Sequence, residues 1–375
     1  MKTIILIGAG KIGAMIAQML SASGDYHITI ADTSKEALDK MPQHKAIDTL
    51  ELDVNDSSQL AQALDGKFAV LSAVPFNVTR FIAEGAAKAG VHYFDLTEDI
   101  ATTKFVKNLA TKSKSAFMPQ CGLAPGFISI VSNHLAHKFD SLDSIKMRVG
   151  ALAQYPTNGL KYNLTWSTAG LINEYIQPCE AIVDGELRVV DALGGLEEFS
   201  LDGTNYEAFN TSGGLGTLCE TLAGKVDQLN YKTVRYPGHC EALKLLLHDL
   251  KMRNRPDMLQ DIFEKALPIT YQDVVFIFVT VIGKREGNLV EETYAKKIYA
   301  RNITSETGVE RWSAIQITTA AGICGVMDLM AQNKLPQKGF IRQEDVNFND
   351  FITNRFGRYY DDNAQESVGV YEIHE

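Results

Sequence analysis

Cysteine is scarce. The 375 residues hold five, at 121, 179, 219, 240 and 324, with no C-x-x-C pair and no Cys/His spacing that suits a metal. So odd and scattered a set predicts reduced thiols in the cytoplasm rather than a disulfide framework. Basic charge is in deficit: 36 Lys and Arg face 46 Asp and Glu, for a formal net charge of −10. Such a field repels a phosphate backbone unless a basic patch is segregated. The one short basic cluster, Lys251, Arg253 and Arg255, reads as decoration of an exposed helix end. Nucleic acid is not an expected partner. Long hydrophobic runs are missing as well. The apolar run at residues 4–7 is too short for a leader, and the late stretch 312–330 is interrupted by Gln316 and Asp328. Neither a leader nor a membrane span is expected, and no internal repeat is evident.

What remains is an ordinary globular composition, 45% apolar and 22% charged. At about 150 residues per domain, the length predicts two to three domains. Residues 1–124 alternate apolar strands (4–7, 28–31, 50–52, 68–73, 91–96, 116–118) with helical stretches (12–20, 78–89, 102–112). Repeated strand–helix units imply right-handed crossovers and a doubly wound parallel sheet, the Rossmann arrangement. The pattern changes after Pro125-Gly126. A helix over 127–137 leads to a period-two strand at 145–149, and Asp184-Gly185 between two short β runs marks a hairpin. Further strands are expected at 207–210, 229–234, 274–282 and 293–300. A second α/β domain over 125–310, built on a mostly antiparallel mixed sheet, is therefore predicted. A helix within 311–345 is expected to return to the first domain, leaving 346–375 as a tail that frays beyond Asp361.

Gly8-Ala9-Gly10-Lys11-Ile12-Gly13 is a G-x-G-x-x-G run that follows a buried strand and opens an amphipathic helix. That context makes a weak pattern informative. Gly8 suits a tight turn, Gly10 a close approach to a pyrophosphate, and Gly13 close helix–strand packing. Asp32 ends the second strand about 20 residues beyond the run, where a carboxylate accepts from ribose hydroxyls and repels a 2′-phosphate. NAD is therefore expected over NADP, and a plain helix cap is the other reading of Asp32. Asp53 is placed either by the adenine or in a loop. Ala73, Val74 and Pro75 end the fourth strand, where small residues let a cofactor cross the sheet edge.

The crevice at the carboxyl ends of the later strands collects Asp95, Glu98 and Asp99, as either substrate acids or helix caps. Just beyond stands Cys121-Gly-Leu-Ala-Pro-Gly126. The chain resembles the saccharopine dehydrogenase-like family here, and within it the bacterial L-lysine 6-dehydrogenases. The resemblance continues through Tyr162-Asn163-Leu-Thr-Trp166-Ser167, Gly170-Leu-Ile-Asn-Glu174, Glu207-Ala-Phe209, Gly213-Gly214-Leu-Gly216 and Tyr231-Lys232-Thr-Val-Arg235-Tyr236-Pro-Gly-His239. It implies a pyridine-nucleotide domain, a second domain for catalysis and dimerisation, at least a homodimer, and chemistry at a carbon bearing an amine.

Residue chemistry agrees with that implication. Arg235 can clamp a carboxylate through two parallel hydrogen bonds, or close an interdomain salt bridge. Lys232 can support the same anion, act as a base if desolvated, or lie on the surface. His239, behind Pro237-Gly238 at a helix start, is a candidate base for a substrate ammonium or a structural histidine. Asp95 joins them as a catalytic candidate. Glu207 and Asn163 are candidate ammonium ligands, and Tyr162 and Cys121 candidate pocket groups. The function expected is NAD-dependent oxidative deamination of L-lysine at the ε-carbon. The rival readings are a saccharopine dehydrogenase and a non-catalytic NAD-binding redox sensor.

Overall fold

An unbroken apolar run is buried on both faces only within a parallel sheet covered by helices. Residues 4–7 take that place in β1, Lys2–Ile7, with all four buried. The structure is a computed structural model that describes residues 1–305, 308–361 and 371–372. It divides into two compact units. One is Met1–Phe127 with Arg301–Trp312 and Gln316–Glu375; the other is Ile128–Ala300 with Ser313–Ile315.

In the first unit β1 is joined by β2 (Tyr26–Asp32), β3 (Ile47–Glu51), β4 (Ala69–Ser72), β5 (His92–Asp95) and β6 (Ala116–Met118). They pair in parallel in the order β6-β5-β4-β1-β2-β3, the Rossmann topology. The order reverses between β1 and β4, which makes their carboxyl ends the switch point where such sheets bind ligands. The short strand Gly339–Phe340 adds to the β6 edge. Two residues show no period, so the sequence carried no sign of it.

Ile5, Ile7, Val70, Ile82, Tyr93 and Phe117 share one core under the crossover helices. The helix Ala314–Ala331 is long and apolar enough to cross a membrane by length and composition, and 89% of that stretch is buried in the protein. Its Gly322 allows the close approach, because a Cβ there would stand 2.5 Å from the Cys121 carbonyl oxygen.

Residues 346–361, expected as tail, are instead packed helical turns, Phe348–Thr353 and Gly357–Tyr360. Phe351, Phe356 and Tyr360 are buried, and the Tyr360 ring stacks 3.7 Å from that of Phe127. Aromatic burial on this scale outweighs the entropy of ordering a short segment. The fraying expected beyond Asp361 concerns residues outside those described.

The second unit carries β7 (Ser141–Ala153), β8 (Cys179–Val183), β9 (Glu186–Val190), β10 (Glu197–Leu201), β11 (Thr204–Asn210), β12 (Val226–Arg235), β13 (Asp273–Arg285) and β14 (Asn288–Tyr299). The order is β10-β11-β12-β7-β13-β14, with β8 on β12 and β9 on β8. Every pair is antiparallel except β12–β7, so the sheet is mixed as expected. The helices Thr168–Ile176, His239–Lys244 and Pro256–Ala266 accompany it. Tyr162, Leu171, Tyr175, Phe209, Leu243 and Phe263 form one core cluster, while Val234, Leu152, Tyr206 and Phe276 form another. Each such side chain contributes roughly 1.5–3 kcal/mol on burial.

Candidate functional site

β1 ends at Ile7 and a helix starts at Lys11, so Gly8, Ala9 and Gly10 make the whole connection. Gly8 has φ +115°, and a Cβ there would lie 2.6 Å from the Ala73 carbonyl oxygen. A Cβ on Gly13 would fall 2.0 Å from the Gly8 oxygen. Only glycine fits either place. Gly10 is different, since nothing stands within 4 Å of where its Cβ would be. The helix Lys11–Ala22, which Ile12 and Gly13 continue, has no side-chain cap and no acid in its first turn. Its first N–H groups therefore lack a side-chain cap and its positive end lacks a neighbouring acid of its own turn, as an anion site requires. Asp32 is tied to the same turn: its carboxylate accepts from Ala9 N and Ser34 N, both at 2.8 Å. Ala73 N donates to Ile7 O at 2.8 Å, which brings the Ala73-Val74-Pro75 segment alongside the glycines. Glycine cradle, uncapped helix end and carboxylate together fit an adenine dinucleotide. Asp53 is accounted for otherwise. It is exposed, and its Oδ1 accepts from Asn55 N and Nδ2 in a self-contained turn.

Asp95, at the end of β5, is buried with both oxygens engaged. Tyr93 Oη donates to it at 2.6 Å, and Thr97 N and Gln120 N each at 2.9 Å. Burial still pushes its carboxyl up to about 6. It anchors two turns and is not the free catalytic acid expected. Cys121 is likewise packed: Sγ donates to Met118 O at 2.9 Å and accepts from Gln343 Nε2 at 3.2 Å. Burial holds this thiol well above its ordinary range, which leaves it neutral and unreactive. Asp99 caps the helix Ile100–Ala110 through Thr102 N. Glu98 is the remaining acid of the group. Burial, with Asp99 and Asp95 nearby, pushes its carboxyl up to about 7.

In the second unit Arg235 ends β12 opposite Glu207 of β11. The side chain is 3% exposed. Its Nε donates to Tyr175 Oη at 3.0 Å and Nη1 to Val234 O at 2.9 Å, with the Tyr162 ring centroid 5.1 Å from the guanidinium carbon. Among the described residues it forms no ion pair, and Nη2 has no protein acceptor. Tyr175 Oη in turn lies 3.1 Å from His239 Nε2, and His239 Nδ1 lies 2.8 Å from Leu160 O. A carbonyl only accepts, so Nδ1 carries the proton and Nε2 accepts from Tyr175. Burial, with Arg235 nearby, pushes His239 down to about 3. A neutral ring with both nitrogens occupied is not the base expected at 239; it holds Tyr175.

Glu207 also departs from expectation. Its two oxygens accept from Gly238 N (2.8 Å) and Cys240 N (2.6 Å), so it braces the start of the helix His239–Lys244 rather than standing free for an ammonium. Buried Asn163 accepts from Asn158 Nδ2 at 3.1 Å. Lys232 stands three residues from Arg235 on one strand and so points to the opposite face. There Nζ meets Glu197 Oε2 at 2.7 Å and Gly195 O at 2.6 Å, on the carboxylate that Arg148 also holds. It neither supports the Arg235 anion nor stands free as a base. Gly214 of the second glycine cluster packs on the Tyr231 ring, 2.3 Å from where a Cβ would be. Among the described residues no group of three or more His, Cys, Asp or Glu suits a metal.

The family described as saccharopine dehydrogenase NADP binding domain matches residues 4–118, and the saccharopine dehydrogenase C-terminal domain matches 122–358. The chain belongs to the saccharopine dehydrogenase family. Curated relatives are distant. The mitochondrial alpha-aminoadipic semialdehyde synthase of Bos taurus is 20% identical over 79% of this chain and 33% of its own. The saccharopine dehydrogenase [NADP(+), L-glutamate-forming] of Saccharomyces cerevisiae is 22% identical over 51% of this chain and 44% of its own. The chain thus spans about a third of the length of the bovine relative. Among solved structures, the apo saccharopine dehydrogenase (L-Glu forming) of S. cerevisiae superposes with a TM-score of 0.77 at 15% identity, covering 100% of this chain and 99% of that one. The homospermidine synthase of Legionella pneumophila, in complex with NAD, gives 0.63 at 12%, over 99% and 91%. These likenesses show the fold.

Two members of the Arg235 cluster escaped the sequence reading. Tyr175 sits one residue beyond the Gly170–Glu174 motif, on a nine-residue helix too short to display a clear apolar stripe. Leu160 acts through its backbone carbonyl, to which the side chain gives no clue.

Proposed function

We propose that this chain is an NAD-dependent oxidoreductase acting at a carbon–nitrogen bond of an amino acid, with oxidative deamination of L-lysine at the ε-carbon as its reaction. One observation carries the reading. Arg235 is a buried guanidinium without an ion pair among the described residues and with Nη2 unused, an arrangement suited to a substrate carboxylate. The rings of Tyr162 and Tyr175 flank it and limit water, which strengthens the charge pairing. The dinucleotide, when bound, supplies the hydride acceptor. Oxidation takes a hydride from the carbon bearing nitrogen and a proton from the ammonium; water then converts the imine to an aldehyde and ammonium. Asp32 is the reason for choosing NAD, since the family description and the yeast relative both carry NADP. The reading includes a cytoplasmic homodimer, and five buried cysteines in thiol form support a reducing compartment.

The second reading, a saccharopine dehydrogenase, is favoured by the family description and the yeast relative's name. Reduced-nucleotide formation with lysine, ornithine and saccharopine, each with NAD and NADP, separates the two. Turnover of lysine with NAD is expected. Turnover of saccharopine alone overturns the lysine assignment, and nucleotide binding without turnover of any amine favours a redox-sensing binding protein.

A further inference from the structure

Two members of the basic cluster set aside in the sequence, Lys251 and Arg253, line a cavity. In the second unit, beside the helix Thr168–Ile176, lies a space of about 330 Å³ bordered by Tyr175, Pro178, Asp191, His248, Lys251 and Arg253. The backbone takes two unusual steps to bring the basic groups there. After His239–Lys244 the chain widens into a π-turn, Leu245–Asp249, in which Leu247 is buried while His248 is exposed. Such turns are uncommon and gather at functional sites. Lys251 then adopts a left-handed backbone, φ +58°, and caps a single 3₁₀ turn that carries Arg253.

The charges are unbalanced. Among the described residues neither Lys251 nor Arg253 forms an ion pair, whereas Lys244, Lys265 and Lys297 each meet a carboxylate. Asp191 is the one acid bordering the cavity. In a chain of net charge −10, two cations and an imidazole facing the single carboxylate of Asp191 leave this concavity a net positive charge, a local field that concentrates anions. A guanidinium offers a flat two-pronged donor, an ammonium a point charge and an imidazole a single N–H, a set that matches several oxygens on one small ligand. The volume sits at the small end of ligand pockets, of roughly 300–1,000 Å³.

We propose that this cavity is a binding site for a small multivalent anion, a phosphate or a dicarboxylate, in addition to the carboxylate place at Arg235. Calorimetric titration of the full chain tests it, with inorganic phosphate and with glutarate as probes. NAD is kept in excess to occupy the glycine turn, and chloride holds the ionic strength constant. Saturable binding of at least one probe is expected. It should weaken at least tenfold in Lys251→Ala/Arg253→Ala and in Arg253→Glu, and stay unchanged in Lys265→Ala, which removes a cation outside the cavity. The variants alter exposed side chains, and an unchanged melting temperature verifies their fold. The tighter probe identifies the ligand as phosphate-bearing or dicarboxylic. No saturable heat from either probe, or equal affinity in the cavity variants, overturns the proposal.

Discussion

Replacing Tyr175 by Phe removes one oxygen and leaves the ring, its packing and the surrounding volume intact. That oxygen accepts from Arg235 Nε at 3.0 Å and is hydrogen-bonded to His239 Nε2 at 3.1 Å. The first bond involves a buried charge, and leaving such a donor unmet costs about 1.5–3 kcal/mol. The second adds about 1 kcal/mol. Tyr175→Phe should thus destabilise the chain by roughly 2.5–4 kcal/mol, read as a lower urea midpoint. The guanidinium would keep only Val234 O as protein acceptor and turn more freely. Losing about 1.4 kcal/mol of orientation raises KM for the carboxylate-bearing substrate about tenfold, with kcat nearly unchanged, because the reacting carbon lies elsewhere. Arg235→Lys, which abolishes the two-pronged edge, should raise KM further. The assays are urea unfolding and steady-state kinetics on the substrate identified above. A Tyr175→Phe protein with native stability and native KM would refute the idea that this hydroxyl holds Arg235 in place.

Asp32→Ala should weaken NAD binding about tenfold, as expected for losing hydrogen bonds to a charged group, and narrow the preference over NADP; an unchanged NAD/NADP ratio in a binding titration counts against the ribose role. Asp95 should give the chain a pH-dependent stability. Its carboxyl titrates near 6 in the fold against 3.8 ordinarily, so the fold favours the protonated form. That contribution is complete below pH 3.8 and is lost as the pH rises through 6, leaving a cost of about 3 kcal/mol at neutral pH. Asp95→Asn should therefore gain on the native chain between pH 4 and 6.5 and level off above. A difference in urea midpoint that ignores pH removes this account of the residue.

Much of the first unit was legible because its signals are local. A buried parallel strand needs an unbroken apolar run, a helix shows its stripe within a few turns, and Gly8 and Gly13 occupy places that no Cβ can enter. Asp184-Gly185 announced its hairpin for the same reason: the left-handed backbone at both residues is a property of two amino acids. The edge strand Gly339–Phe340 and the packed residues 346–361 were not legible. Their stability comes from the distant partners Phe117 and Phe127, not from their own pattern.

The sequence alone determined that a dinucleotide turn opens the chain, that an acid follows it at the end of the second strand, and that a mixed sheet comes after. Those features depend on steric need and on periods of two or 3.6 residues, which neighbouring residues express by themselves. Tertiary structure decided what each titratable side chain does. Glu207 became a brace because Gly238 lies beside it from 31 residues away, and Asp95 an anchor because Gln120 does from 25. His239 became a support because Tyr175 reaches it across 64 residues, and Tyr175 holds Arg235 across 60. Whether a polar group is a base, a cap or a clamp depends on which donors and acceptors surround it after burial, and only the folded chain brings those together.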